Sequence, residues 1–85
     1  MQVTVKLFAT LRQQAGWAEQ QMTLNESEDS PATVGMLMLE LDRQYPHMDL
    51  KDRPAYAAIN HNYADVDNPL HEGDIVALFP PVSGG

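Results

Sequence analysis

The most distinctive chemistry in this sequence lies at its end, Pro80-Pro81-Val82-Ser83-Gly84-Gly85, where Gly85 is expected to carry a free carboxylate. A carboxylate is a poor electrophile as it stands. Conversion to an acyl-adenylate gives it a good leaving group. Sulfur transfer to that carbonyl then leaves a thiocarboxylate, whose sulfur is ionised and nucleophilic at neutral pH. Glycine at the last two positions keeps side chains clear of attacking groups and permits φ values barred to other residues. Proline has no backbone N–H and a φ held near −65°, so sheet pairing should stop at Pro80 and Pro81. Residues 80–85, if extended, would reach roughly 20 Å from the body. The plain alternative is a frayed terminus. At ~7% glycine usage, two terminal glycines arise by chance about one time in 200.

Other groups offer less. His47, His61 and His71 fall in expected loops, and none is four residues from another, so solvated histidines are favoured over metal ligands. Glu26, Glu28 and Asp29 form an acidic loop without the ligand spacing of a calcium-binding loop. Neither a phosphate-cradling glycine loop nor a G-x-S-x-G turn is present. Arg12 is a lone cation among apolar residues. It could pair with a partner's carboxylate or cover apolar surface with its stem. The sequence has no cysteine, which excludes disulfides, Cys-ligated metals and a thiol nucleophile. It also leaves no internal thiol to compete for an activated acyl group. No metal and no bound cofactor are expected, and the terminal carboxylate remains the best candidate for the working group.

The chain of 85 residues is one domain's length, long enough for one modest core. Its 44% apolar and 20% charged residues are those of a globular protein. The net charge of −7 makes nucleic acid and anionic membranes poor partners. No apolar run approaches the ~18–20 residues of a membrane span. The first residues enter a strand pattern directly, so no signal peptide is expected, and a cytoplasmic protein is the default.

The elements that must hold this end in place follow from periodicity. Val3, Val5 and Leu7 alternate with polar residues, as in a half-buried strand. Residues 9–14 are too short for a confident helix, and Ala15-Gly16 reads as a turn. Residues 19–24 read as a second strand, antiparallel to the first, with Met22 and Leu24 on one face. After a polar loop at 25–30, a helix is expected to start at a cap, either Ser30 before Pro31 or Thr33. Val34, Leu37, Met38, Leu41 and Tyr45 form its apolar stripe, with Met36 and Leu39 off it. Gly35 costs this helix roughly 1 kcal/mol relative to alanine, a cost close packing would explain. Pro46 should end it. Residues 47–54 read as a polar connection. Strands are expected over 55–59 and 63–66, around an Asn60-His61-Asn62 turn. Leu70 should plug the core, and Glu72-Gly73-Asp74 should turn into a last strand. There Val76 and Leu78 take one face, and Ile75, Ala77 and Phe79 the other. The order ββαβββ fits an α+β sheet with one helix across one face.

Three aromatics lack an obvious core. Phe8 falls on the polar side of the first strand's alternation, Phe79 ends the last strand, and Tyr63 follows the Asn turn. If the first and last strands are parallel neighbours, Phe8 and Phe79 share the face away from the helix. An exposed apolar patch on a small protein usually marks a partner site. The alternative is a cap on an open core edge.

The segment LFATLRQQAG (7–16), the AAIN turn (57–60) and the end LHEGDIVALFPPVSGG (70–85) resemble the small subunit of molybdopterin synthase. The resemblance covers nearly the whole chain. It implies a ubiquitin-like β-grasp fold, with a mixed sheet of four to five strands and one main helix, over residues 1–79, followed by an extended tail, 80–85. It further implies that a ubiquitin-activating-like adenylyltransferase uses ATP to adenylate Gly85, and that a sulfur donor enzyme converts it to a thiocarboxylate. Pro80, Pro81, Val82, Ser83 and Gly84 then thread the tail into the large subunit, which supplies the catalytic side chains. Sulfur passes to cyclic pyranopterin monophosphate within a heterotetramer of two small and two large subunits. The small subunit is non-catalytic alone. Phe8, Tyr63 and Phe79 match the family's hydrophobic contact surface. Arg12 remains a further candidate contact. Sulfur carriers for thiamine synthesis or tRNA thiolation share the fold and Gly-Gly, although the Phe-Pro-Pro approach favours the molybdopterin branch. A ubiquitin-like protein modifier shares the activation step and differs in the acceptor. A plain binding module with an inert tail is the remaining alternative.

Overall fold

Alternation along the first strand puts Val3, Val5 and Leu7 inside and leaves Gln2, Thr4 and Lys6 on the other face, forming β1 (Gln2–Leu7). The computed structural model describes residues 1–26, 31–50 and 55–80. After β1 come α1 (Thr10–Ala15), β2 (Glu19–Thr23), α2 (Val34–Gln44), a 3₁₀ turn (Pro46–Met48), β3 (Tyr56–Ile59), β4 (Asn62–Ala64) and β5 (Ile75–Phe79). The strands make one sheet in the order β2-β1-β5-β3-β4. The central β1–β5 pair is parallel, and the β1–β2, β5–β3 and β3–β4 pairs are antiparallel. This is the expected α+β, ubiquitin-like β-grasp, with five strands and one main helix.

One face of the sheet is the core. Val3, Val5 and Leu7 of β1, Met22 of β2, Ala57 of β3, and Val76 and Leu78 of β5 are buried against Val34, Leu37, Met38 and Leu41 of α2. Each fully buried Leu or Val of this set contributes roughly 1.5–3 kcal/mol. Leu39 lies on the solvent side of the helix, as its position off the stripe requires. Leu70 plugs the core beside them.

Three local readings are corrected by the structure. Residues 10–15 do form a helix, although six residues are marginal alone. Leu11 anchors it in the core, and Gly16 closes it in the left-handed conformation at φ 85°, its N–H donating to the Arg12 carbonyl. The stretch after α2 is not simply polar. Pro46 stops the α-helix at Gln44 and opens the 3₁₀ turn, which carries His47 and buries Met48, and Leu50 follows it into the core. β4 ends at Ala64, so Val66 is not in a strand.

Thr33 is the cap of α2, its Oγ1 accepting from the Met36 N–H at 3.2 Å; Ser30, the other candidate, and Glu28 and Asp29 of the acidic loop lie outside the described residues. The remaining N–H groups of the first turn are met by the chain that follows β4. Val34 donates to the Asn68 carbonyl and Gly35 to the Val66 carbonyl, at 3.1 and 2.9 Å. This explains Gly35. A Cβ there would sit 3.2 Å from the Val66 carbonyl oxygen, in a loop pinned by the Asp65–Asn68 turn. Gly35→Ala is therefore expected to lower the melting temperature, despite the ~1 kcal/mol that alanine offers a helix. A thermal melt in which Gly35→Ala gains stability would show that the loop yields.

Among the described residues no helix is long and apolar enough to cross a membrane. No group of at least three His, Cys, Asp or Glu among them could hold a metal ion.

Candidate docking face and the start of the tail

The parallel β1–β5 ladder continues one residue beyond β1, where the Phe8 N–H donates to the Leu78 carbonyl at 3.2 Å. That bond sets Phe8 beside Phe79 on the open face. Their rings stack with centroids 4.8 Å apart and planes 14° from parallel. Such a pair contributes ~0.5–1.5 kcal/mol beyond its buried area. The stack is the last feature of the sheet before Pro80, which is half-buried and ends the described chain. Pro81, Val82, Ser83, Gly84 and Gly85 lie outside the described residues.

Register completes the face. Tyr56 of β3 stands opposite Phe79, and it is 54% exposed. In the next row toward the Asn60 turn, Lys6, Ala77, Ala58 and Tyr63 lie side by side across β1, β5, β3 and β4. Tyr63 is 87% exposed. Between the large side chains, the two alanines leave a hollow of about 300 Å³, lined also by Ile75 and His61. Phe8, Tyr63 and Phe79 are therefore brought together around one hollow.

The turn that carries His61 and presents Tyr63 is built into the start of β5. Asn60 and His61 both have positive φ, 49° and 75°, conformations that asparagine tolerates best among residues with side chains. The Asn60 side chain accepts from the Ile75 N–H at 3.0 Å and donates to Asp74 Oδ1 at 3.0 Å. Asp74 Oδ2 accepts in turn from the His71 N–H at 2.8 Å. Asn60→Ala removes both side-chain bonds and places alanine at positive φ. It is expected to destabilise the domain by about 1–3 kcal/mol, measured by urea denaturation. Retention of full stability would mean that the turn holds without the asparagine.

Arg12 is not part of this cluster. It projects from α1 and lines a separate open depression of about 550 Å³ with Ala9, Gln13, Gly16, Trp17 and Ala18. Trp17 closes this side by an edge contact with Tyr45, centroids 5.5 Å apart. Ala9, at φ 54°, turns the chain sharply from the end of β1 into α1, so Phe8 and Arg12 diverge.

Tyr56, Ala58, Ala77, Ile75, Lys6 and His61 also belong to the face, although none of them was expected from the sequence as a partner contact. Alternation puts Ala77 and Ile75 with Phe79. The place of Tyr56 and Ala58 depends on β3 pairing with β5, which no local pattern encodes.

Residues 5–85 match the ThiS family. The chain is 32% identical, over the whole of both chains, to the molybdopterin synthase sulfur carrier subunit of Chlamydomonas reinhardtii. A 36-residue stretch is 50% identical to the Escherichia coli protein of the same name, covering 42% of this chain and 44% of that one. Among solved structures, a putative molybdopterin converting factor subunit from Pyrococcus furiosus is similar with a TM-score of 0.81 and 32% identity, covering 96% of this chain and 99% of that one. The small archaeal modifier protein 1 of Haloferax volcanii gives 0.80 and 29%, with full coverage of both. A third, from a complex of subunits 1 and 2 of the molybdopterin-converting factor of Helicobacter pylori, gives 0.65 and 25%, again with full coverage. With its β-grasp sheet and a family match that runs from β1 through the final Gly-Gly, the chain belongs to the ThiS family.

Proposed function

We propose that this protein is the sulfur carrier subunit of a molybdopterin synthase, with Gly85 as the group that carries the sulfur. The observation that carries the proposal is positional. An exposed aromatic face ends at Phe79, directly before the Pro-Pro-Val-Ser-Gly-Gly run. The names of the Chlamydomonas and Escherichia relatives support the cargo. The Helicobacter complex supports a large-subunit partner.

In this mechanism the folded domain, residues 1–79, is a handle. The open face seats it on the large subunit. Five residues beyond Pro80 would span roughly 16 Å if fully extended, enough to enter a cleft beside the docking surface. An activating adenylyltransferase first couples the Gly85 carboxylate to the α-phosphate of ATP, releasing pyrophosphate. A sulfur donor enzyme then supplies a sulfide equivalent that displaces AMP, leaving the thiocarboxylate. In the large subunit this sulfur attacks an oxygen-bearing carbon of cyclic pyranopterin monophosphate and displaces that oxygen; water then hydrolyses the resulting thioester, returning the Gly85 carboxylate and leaving the sulfur on the pterin. The chain's own contribution is to seat, reach and present a nucleophile; the catalytic side chains belong to the large subunit, in an assembly of two small and two large subunits.

The test is reconstitution. After incubation with an activating enzyme, ATP and a sulfur source, intact mass spectrometry should show one oxygen-to-sulfur exchange. Addition of large subunit and pterin precursor should then yield molybdopterin. An unchanged mass rules out any sulfur-carrier role. Similarity to an archaeal modifier protein supports a second reading, in which activated Gly85 is joined to lysines of target proteins. Higher-mass conjugates in cells, lost when Gly85 is deleted, would favour it.

A further inference from the structure

We infer that the hollow over Ala58 and Ala77 is a socket for one large apolar side chain of the docking partner, flanked there by a carboxylate that meets Lys6. The inference rests on the docking reading above and adds what the partner must present. The hollow is made by register rather than by a gap in the fold. Ala77 and Ala58 are direct neighbours across β5 and β3. On one side of them stands the row of Phe8, Phe79 and Tyr56, and on the other Ile75. Lys6 and Tyr63 close the two ends of the alanine row.

Outward positions of a sheet with one solvated face are ordinarily polar. Here the centre of that face carries two alanines, an isoleucine and a phenylalanine pair. An open hollow of about 300 Å³ is at the lower limit of ligand pockets, which enclose most of a bound small molecule. It matches instead the pockets into which single anchor side chains of a protein partner insert. The hollow is continuous with the Phe8–Phe79 stack, so an inserted anchor would fix the body within a few residues of the tail.

Charge specifies the flank. The chain is acidic, with net charge −7, yet a lysine stands on this rim. Its Nζ is 3.8 Å from Glu19, and both side chains are well exposed, so the pair is loose and open to exchange. A partner carboxylate beside the anchor can take Glu19's place. His61 occupies the rim near the Asn60 turn.

The experiment is a binding titration of the large subunit against the wild type, Ala77→Val, Ala77→Leu, Phe79→Ala and Lys6→Glu, with a thermal melt of each. Ala77→Leu fills the socket and should weaken binding about tenfold or more, Ala77→Val less, with melting temperatures at or above the wild type. Lys6→Glu should weaken binding more at low salt than at high salt. If both Ala77 variants bind like the wild type while Phe79→Ala binds weakly, the face docks but the socket is empty, and the inference is overturned. Wild-type binding by all the variants, Phe79→Ala included, would instead remove the docking reading itself. An unaltered Lys6→Glu affinity at low salt overturns the carboxylate. Concentration-dependent dimers of the chain alone, abolished by Ala77→Leu, would assign the socket to a second copy and also overturn the inference. Should Ala77→Leu fail to fold, Ala77→Val, one methylene shorter, carries the same test.

Discussion

Deletion of Gly85 abolishes sulfur loading and leaves the melting temperature of the domain unchanged. The two halves of this expectation have separate causes. Loading needs a carboxylate at the end of a chain with no side chains near it. On the mechanism proposed above, removal of Gly85 moves the terminal carboxylate to Gly84, one residue short of where the activating enzyme would meet it. A misplacement of even 1 Å can cost a reaction about a hundredfold, and one extended residue is about 3.4 Å. Stability, in contrast, resides in a core whose buried residues, among those described, run from Val3 to Leu78, between the sheet and α2. Intact mass after incubation with activating enzyme, ATP and a sulfur source reads the first half, and thermal denaturation reads the second. Loading of the shortened chain at the wild-type rate would refute the role of Gly85. A marked loss of stability would refute the division into domain and tail.

Phe79→Ala weakens binding of the large subunit by about 1–3 kcal/mol, or roughly 5- to 150-fold. The stack with Phe8 makes Phe79 part of a preorganised surface directly before Pro80. Truncation removes its contact area and frees Phe8 from the stack. Phe8→Ala should act in the same direction and be less than additive with Phe79→Ala, since each ring holds the other. Tyr63→Ala tests the far side of the face, where the 87% exposed ring has much area to bury. Calorimetric titration gives the affinities. Full wild-type affinity in Phe79→Ala would remove the open face from the interface. Arg12 lies in a different depression, so Arg12→Ala separates the two surfaces in the same titration.

Much of this was legible along the chain because the signals are local. The period-two runs at Val3, Val5 and Leu7 and at Val76 and Leu78 bury the residues expected, and the stripe on α2 lies against them. Gly73 at φ 83° makes the turn into β5, as a residue without a side chain does best. Other features were read wrongly or not at all because their cause is distant. Residues 10–15 are helical because Leu11 finds a core and Gly16 a left-handed cap, not because six residues favour a helix. Met48 and Leu50 are core because the chain folds back under α2 after Pro46, and a polar-looking segment does not announce that. Gly35 is explained by a carbonyl that lies 31 residues further along the chain.

From the sequence by itself comes the expectation that the Gly85 carboxylate is the working group. Absence of cysteine, of clustered histidines and of nucleophile motifs is a matter of composition and spacing, and it needs no coordinates. The sequence also determined that Phe8 and Phe79 are out of place on a solvated face. Only the tertiary structure decided what surrounds them there. Strand order and register bring residues from β1, β3, β4 and β5 around two alanines, join Tyr56 and Lys6 to the aromatics, and send Arg12 elsewhere. The physical reason is that a side chain's face follows from its own strand, whereas its neighbours follow from pairings between segments up to about seventy residues apart.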